Sequence, residues 1–345
     1  MTDDLPGADH GHDDERLDEL IHRADLDGLV RMIDDRCAVR DWAGLLRVRD
    51  RSRRAVDTGR QLWPAATLAE YRLALLAPGP FVAAVLDESD GLSGRFTIGP
   101  LTEVAAQSHT WADLAPHLDR GPRAAFVAHE RLLRGDELPV ALGAELPAVL
   151  DLPLSMAPWE PAAPLASYSE NGAEFPRPPL PDDWDDVPMP VAPAASAEVL
   201  DDDDVDLAVR QLVEPWIAAS NGRIETVCVA GTTADAIAAL GVRRARRCRL
   251  TSEQALAWIA WAGASGGAHG RRRGAAAGRF GMWWLLGAIG QFDDFPPRPG
   301  ELVELLDELR WWRWDAHEPE VGWQLQLAIE DDDGTAWAVV ARDHA

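Results

Sequence analysis

The sequence predicts a mixed α+β protein, mostly helical: an all-α N-terminal domain and a smaller α/β C-terminal domain, joined by an extended connector rich in proline and aspartate. Three observations predict it. Apolar residues recur at helical spacing through the first 137 positions, proline concentrates in the middle of the chain, and after residue 206 helical and strand-like patterns alternate. The expected divisions are an acidic disordered tail at 1–14, a helical domain at 15–137, a connector at 138–206 and an α/β domain at 207–345.

In the first domain, Leu17, Leu20, Ile21 and Ala24 mark one amphipathic face, and Leu26, Leu29, Val30, Ile33 and Cys37 mark the next. Trp42, Leu45 and Leu46 begin a third. Thr67 with Glu70 reads as a capping box opening a helix that stops at Pro78, and Thr110 with Asp113 as a looser one. A helix over about 123–134 closes the region. Successive short helices suggest a bundle or a repeat-like stack, although no clean period is present.

The connector holds 13 of the 25 prolines between positions 139 and 193, so long helices and central strands are excluded there. It also holds over half of the net charge of −25, ending in the run Asp201 to Asp204. Its apolar insertions, Trp159, Tyr168, Phe175 and Trp184, suggest that it lies along a surface.

In the last domain a helix is expected over about 206–219, then a strand over 224–230. Thr232 with Asp235 caps a short helix, and a second strand runs over 242–250. This β-α-β unit most simply pairs its strands in parallel. Two apolar helices follow, about 255–262 and onward to 289, separated by a loop rich in glycine and arginine. A helix at 301–309 precedes strands at 322–329 and 336–341, joined by the turn Asp331-Asp332-Asp333-Gly334.

Composition excludes several chemistries. All 33 basic residues are arginine, so a P-loop lysine, a kinase strand lysine and a Schiff base are all closed to this chain. No apolar run reaches the roughly 18 residues of a membrane span, and no apolar leader opens the sequence. Cys37, Cys228 and Cys248 form no CxxC pair. A cytoplasmic setting without a membrane partner is therefore expected. No cofactor fingerprint or metal-ligand set is expected either, Asp9, His10, His12, Asp13 and Asp14 offering only a chelating tail that ordering entropy disfavours.

The clearest anomaly is electrostatic. Between Asp235 and Asp293 lie nine arginines and one acid, Glu253. Arg243, Arg244, Arg246, Arg247 and Arg249 sit on or beside the second strand. Arg271, Arg272 and Arg273 occupy the loop from Gly263 to Gly274, with Arg279 in the next helix. Guanidinium forks suit phosphate and carboxylate, and glycines let a backbone approach an anion. The candidate anion-binding set is Arg244, Arg246, Gly270, Arg271, Arg272, Arg273, Gly274 and Arg279; the competing reading is that these arginines pair with the chain's own carboxylates. The acidic connector, Asp182 to Asp186 around Trp184, is expected to lie against them in cis. Two weaker signals remain. Gly263-Ala264-Ser265-Gly266-Gly267 matches GxSxG but follows a helix rather than a strand, and His269 is the nearest acid–base candidate. Arg310 and Arg313 alternate with Trp311, Trp312 and Trp314, a pattern that suits stacking.

The expectation that follows is a non-catalytic cytoplasmic binding or regulatory protein whose arginines hold an anionic ligand or partner, masked by its own connector. The first alternative is an ester or phosphate-ester enzyme using Ser265 or His269. The second is a helical scaffold for a partner protein, with the arginines purely structural. Nucleic acid remains open as the anion.

Overall fold

A computed structural model describes residues 10–87, 99–189 and 197–344, and of 10–12 and 87 the backbone only. The chain forms two compact units, Met1–Val127 with Tyr168–Gly172, and Ala128–Ser167 with Ala173–Ala345. The first division thus falls ahead of the expected position 137.

The first unit is helical: α1 (His10–Arg23), α2 (Leu26–Ala38), α3 (Trp42–Asp57), α4 (Trp63–Leu76), α5 (Gly79–Asp87), α6 (Leu101–Ser108) and α7 (Trp111–Leu114). Asp25 and Asp41 cap α2 and α3, accepting from Gly28 N at 2.8 Å and Gly44 N at 2.9 Å. The reciprocal box at Thr110 and Asp113 forms and opens α7. The one expected at Thr67 and Glu70 does not. Pro64 starts α4 earlier, its fixed φ suiting a first turn, so Thr67 lies inside the helix. Glu70 is buried instead, against Arg53 and, at 3.5 Å, Arg49. Leu29, Ile33, Leu45, Leu62, Leu73 and Val104 form the dry centre of this unit. Asp13 and Asp14, expected in a disordered tail, belong to α1, where they pair with Arg36 at 2.8 Å and Arg51 at 3.2 Å. Asp9 and the side chains of His10 and His12 lie outside the described residues.

α8 (Pro122–Leu133) carries the chain into the second unit, followed by α9 (Leu142–Glu145). The connector then gives a hairpin of β1 (Ser167–Ser169) and β2 (Gly172–Glu174), and two further short strands, β3 (Asp185–Asp186) and β4 (Glu198–Leu200). It is not bare of core contacts, since Leu146, Leu150, Leu152 and Val187 are buried. Nor does the aspartate run end it as an extended segment. Asp202 caps α10 (Asp203–Leu212) and the acids that follow fill its first turn, where the helix dipole favours negative charge. α11 (Glu214–Ala218) completes what had been expected as one helix.

The remaining elements are β5 (Arg223–Ala230), α12 (Thr233–Ala239), β6 (Arg246–Leu250), α13 (Ser252–Ala264), α14 (Ala275–Ile289), α15 (Pro299–Glu308), β7 (Arg310–Asp315), β8 (Trp323–Glu330) and β9 (Thr335–Asp343). Seven strands form one sheet in the order β3-β6-β7-β8-β9-β5-β4. Every adjacent pair is antiparallel, so the parallel pairing expected of β5 with β6 is overturned. The two strands run the same way, but β7, β8 and β9 lie between them. Local loop closure explains this. The tight 331–334 turn joins β8 to β9 over eight paired residues, and β9 then pairs all of β5.

α12 covers one face of the sheet, packing Ala236 and Ile237 against Trp312, Trp314, Ala328 and Ala338. The apolar α13 and α14 belong to the other face and pack closely on each other. At Gly278 a Cβ would land on the Ala260 carbonyl of α13, so the two helices meet through backbone. No helix among the described residues is long and apolar enough to cross a membrane.

Candidate functional site

The loop between α13 and α14 is held from within. Ser265 is the C-cap of α13 and only 1% exposed. Its hydroxyl donates to Ala262 O at 3.0 Å and accepts from Trp216 Nε1 at 2.8 Å. No strand precedes it, so the strained elbow that presents a nucleophilic serine is not built. His269 is exposed at the tip of the turn. The buried Asp343 of β9 anchors that turn by accepting from Ala268 N at 2.6 Å and Ser220 Oγ at 2.7 Å. Gly267 sits directly above this carboxylate at φ +70°, where a Cβ would strike it. The loop glycines thus serve the loop's own closure, Gly270 lying against the Gly266 and Pro215 carbonyls and Gly274, at φ +94°, capping α14.

The arginines expected as one patch do not converge. Arg273 turns inward and donates to Gln211 O at 2.7 Å, satisfying the end of α10, while burial lowers its pKa. Arg272 is half-buried with its guanidinium 4.8 Å over Phe175. Arg271 and Arg244 are exposed. Arg279 is a buried hub, 2% exposed. It makes a bidentate pair with Glu160 at 2.6 and 2.8 Å and donates to Pro153 O and Ser155 O, both at 2.9 Å. His129 of α8 stands 3.5 Å from it. Burial, then the Arg279 charge, push the His129 pKa down to about 4, so the ring is neutral and offers Nδ1 as acceptor.

A coherent cationic region does exist, on β6 and β7. Strand alternation sends Arg247 and Arg249 to the α12 side and Arg246 to the other, and the register sets them against tryptophans of β7. Arg249 and Arg247 lie over the single ring of Trp312 at 4.3 and 5.0 Å. Arg247 also donates to Thr233 Oγ1 at 2.5 Å, whereas Arg249 has no ion pair among the described residues. Partial desolvation, then Arg310, lower the Arg249 pKa; Glu330 opposes them and Arg247 adds to them. Arg310 itself pairs with Glu330 at 3.6 Å and with Asp332.

On the opposite side the connector is seated. Trp184 lies between Arg246 at 4.5 Å and Arg313 at 4.2 Å. Asp185 and Asp186 pair with Arg247 and Arg246 as β3, and Val187 N continues to Ala245 O at 2.8 Å. Arg246 meets both Asp315 oxygens at 3.0 Å, and Asp182 is 3.8 Å from Arg313. Of the candidate arginines, only Arg246 therefore belongs to this region. Arg310 and Arg313, noticed for their alternation with tryptophan, join it.

The second unit also has an open pocket of about 360 Å³ against α8, α13 and α14. No group of three metal-ligating side chains occurs among the described residues. The three thiols are free, and burial raises Cys37 to about 11 and Cys228 to about 12, so neither supplies a thiolate near neutral pH.

No curated protein and no solved structure matches the chain. A family model matches residues 27–344, and on that extent the chain belongs to the family of unknown function DUF6183.

Proposed function

We propose that this chain is a non-catalytic binding protein whose second unit holds an acidic, aromatic-bearing peptide of a partner on the arginine–tryptophan strands β6 and β7. The observation that carries this reading is the pair Arg247 and Arg249 stacked on one tryptophan, beside a third guanidinium at Arg310. Like charges so placed repel, and an anion relieves the repulsion while the guanidiniums stay stacked. The chain carries its own template for such a ligand. The sequence Asp182-Asp183-Trp184-Asp185-Asp186 flanks β6 with its tryptophan between two arginines, while Asp182 and Asp186 leave 86% and 84% of their side chains exposed. The ion pairs of this segment are exposed and worth about 0–1 kcal/mol each, so its carboxylates compete only weakly with those of a partner peptide.

The hydrolase alternative gains no support from a buried Ser265 already engaged at both its lone pair and its proton. The test is fluorescence anisotropy with a labelled peptide of sequence DDWDD and with a labelled oligothymidylate, at low and high salt. Expected is salt-sensitive peptide binding that weakens roughly tenfold in Arg247→Gln/Arg249→Gln, strengthens when 182–186 are neutralised to Asn, and exceeds oligothymidylate binding. A peptide that fails to bind even the neutralised variant refutes the proposal.

A further inference from the structure

Residues 168–172 belong to the first unit, although the chain on both sides of them, 128–167 and 173–345, belongs to the second. They form the tip of the β1–β2 hairpin, a sheet of two strands only. Such a hairpin is marginally stable by itself in water, so its order comes from what it docks on. Pro161, Pro164, Pro176, Pro178 and Pro179 flank it, so no long helix or central strand fixes it from either end.

The groove between α4 and α6 reads this segment as an extended peptide. Gln107 of α6 clamps both main-chain groups of Tyr168, its Oε1 accepting from the amide and its Nε2 donating to the carbonyl at 2.7 Å. Every residue but proline offers those two groups, so the clamp reads backbone rather than sequence. Side chains supply the sequence. The Tyr168 ring stands edge-on to Tyr71 of α4 at 6.4 Å, and its hydroxyl donates to the buried Glu103 at 2.5 Å. At Gly99 a Cβ would land on that hydroxyl, so the pocket closes at the length of a tyrosine. Tyr71 donates in turn to Ser169 O at 2.7 Å, and Arg72 pairs with Glu170 at 2.6 Å. Main-chain bonds for affinity and alternate side chains for specificity, here Tyr168 and Glu170, are how extended peptides are recognised.

We infer that this groove is a receptor for an extended partner peptide carrying an unmodified tyrosine and a glutamate two residues on, with 168–172 as its tethered occupant. The tether holds the occupant at an effective concentration on the order of millimolar, so a partner binds the open groove far better than the latched one. The inference concerns the first unit and does not rest on the peptide site of β6 and β7.

Fluorescence anisotropy of the full chain with labelled LASYSENGAE, the sequence of 165–174, tests this. The Tyr168→Ala chain, its own occupant unlatched, is expected to bind the peptide at least tenfold more tightly than the parent. Phenylalanine in place of the peptide's tyrosine is expected to weaken binding about tenfold, through the lost bond to a carboxylate. Phosphotyrosine there is expected to abolish it, since its charge meets Glu103. Gln107→Ala, added to the Tyr168→Ala chain, is expected to weaken binding about tenfold. Hydrogen exchange of the parent is the second measurement: millimolar peptide is expected to raise exchange over 167–172 while α4 keeps its protection. Arg247→Gln/Arg249→Gln is expected to change none of this, so the two proposals fail separately. A natively folded Tyr168→Ala chain that does not bind, equal binding of the phosphotyrosine peptide, or parent exchange that the peptide does not raise overturns the inference. A parent dimer that becomes a monomer in Tyr168→Ala also overturns it, by making a second copy of the chain the occupant.

Discussion

Replacing Arg279 with leucine removes the cation that holds the proline-rich segment onto α14. The guanidinium donates to both Glu160 oxygens and to the carbonyls of Pro153 and Ser155. The Glu160 side chain is 0% exposed, so leucine leaves a buried carboxylate without its cation and two carbonyls without donors. Breaking a buried pair from one side costs about 3–5 kcal/mol, because the remaining charge stays desolvated. For a unit of this size each kcal/mol moves Tm by about 2–4 °C, which gives a fall of roughly 6 to 20 °C. Tryptophan fluorescence during thermal and urea unfolding reports the change, since most of the 15 tryptophans belong to this unit. Lysine is expected to rescue little, because an ammonium cannot fork to a carboxylate and reach two carbonyls at once. The double variant Arg279→Leu/Glu160→Gln should recover part of the loss by removing the stranded charge. A cost below about 1 kcal/mol for Arg279→Leu, the value of an exposed pair, refutes the reasoning.

Three further outcomes follow from the same unit. His129 titrates near 4 when folded and near 6.5 when unfolded, so between those values the unfolded chain binds more protons and stability falls as pH drops from 6.5 to 4, by about 3 kcal/mol in all. Denaturant melts across that window should show His129→Asn losing less than the parent. Ser265→Ala strands the Trp216 N–H and should cost about 1–3 kcal/mol, while the parent protein takes no label from a fluorophosphonate probe; labelling of the folded parent at Ser265 contradicts the burial. Gly267→Ala sets a methyl against the Asp343 carboxylate at positive φ and should lower Tm by several degrees, whereas Gly143→Ala, in open space, should not.

Local grammar made much of the fold legible. The 331–334 turn between alternating segments gives β8 and β9, and the box of Thr232 with Asp235 places α12. The failures are non-local. Glu160 lies 119 residues from Arg279, and nothing around either position marks the other as its partner. Counting arginines along the chain grouped Arg246 with Arg273 and Arg279, although one belongs to a strand, one caps a helix and one is core. The better signal was the interleaving of arginine with tryptophan over 310–314, the segment that forms β7 and sets Arg313 opposite Cys248 of β6. Parallel pairing of β5 and β6 followed from the order of elements alone, and a neighbouring hairpin with a short loop outcompeted it.

The order β3-β6-β7-β8-β9-β5-β4 has a consequence for where this unit can be cut. Both outermost strands come from the connector, one from 185–186 and the other from 198–200, and both carry acids. With six inter-strand gaps of about 4.8 Å, the two sheet edges are roughly 29 Å apart. Twelve Cα steps from Asp186 to Glu198 reach up to about 40 Å, enough to serve both ends. Short charged edge strands block the pairing of one sheet with another. A fragment beginning at residue 207 would bare β6 and β5 together, leaving two templates for self-association, so the smallest aggregation-resistant form of the sheet begins upstream of residue 180.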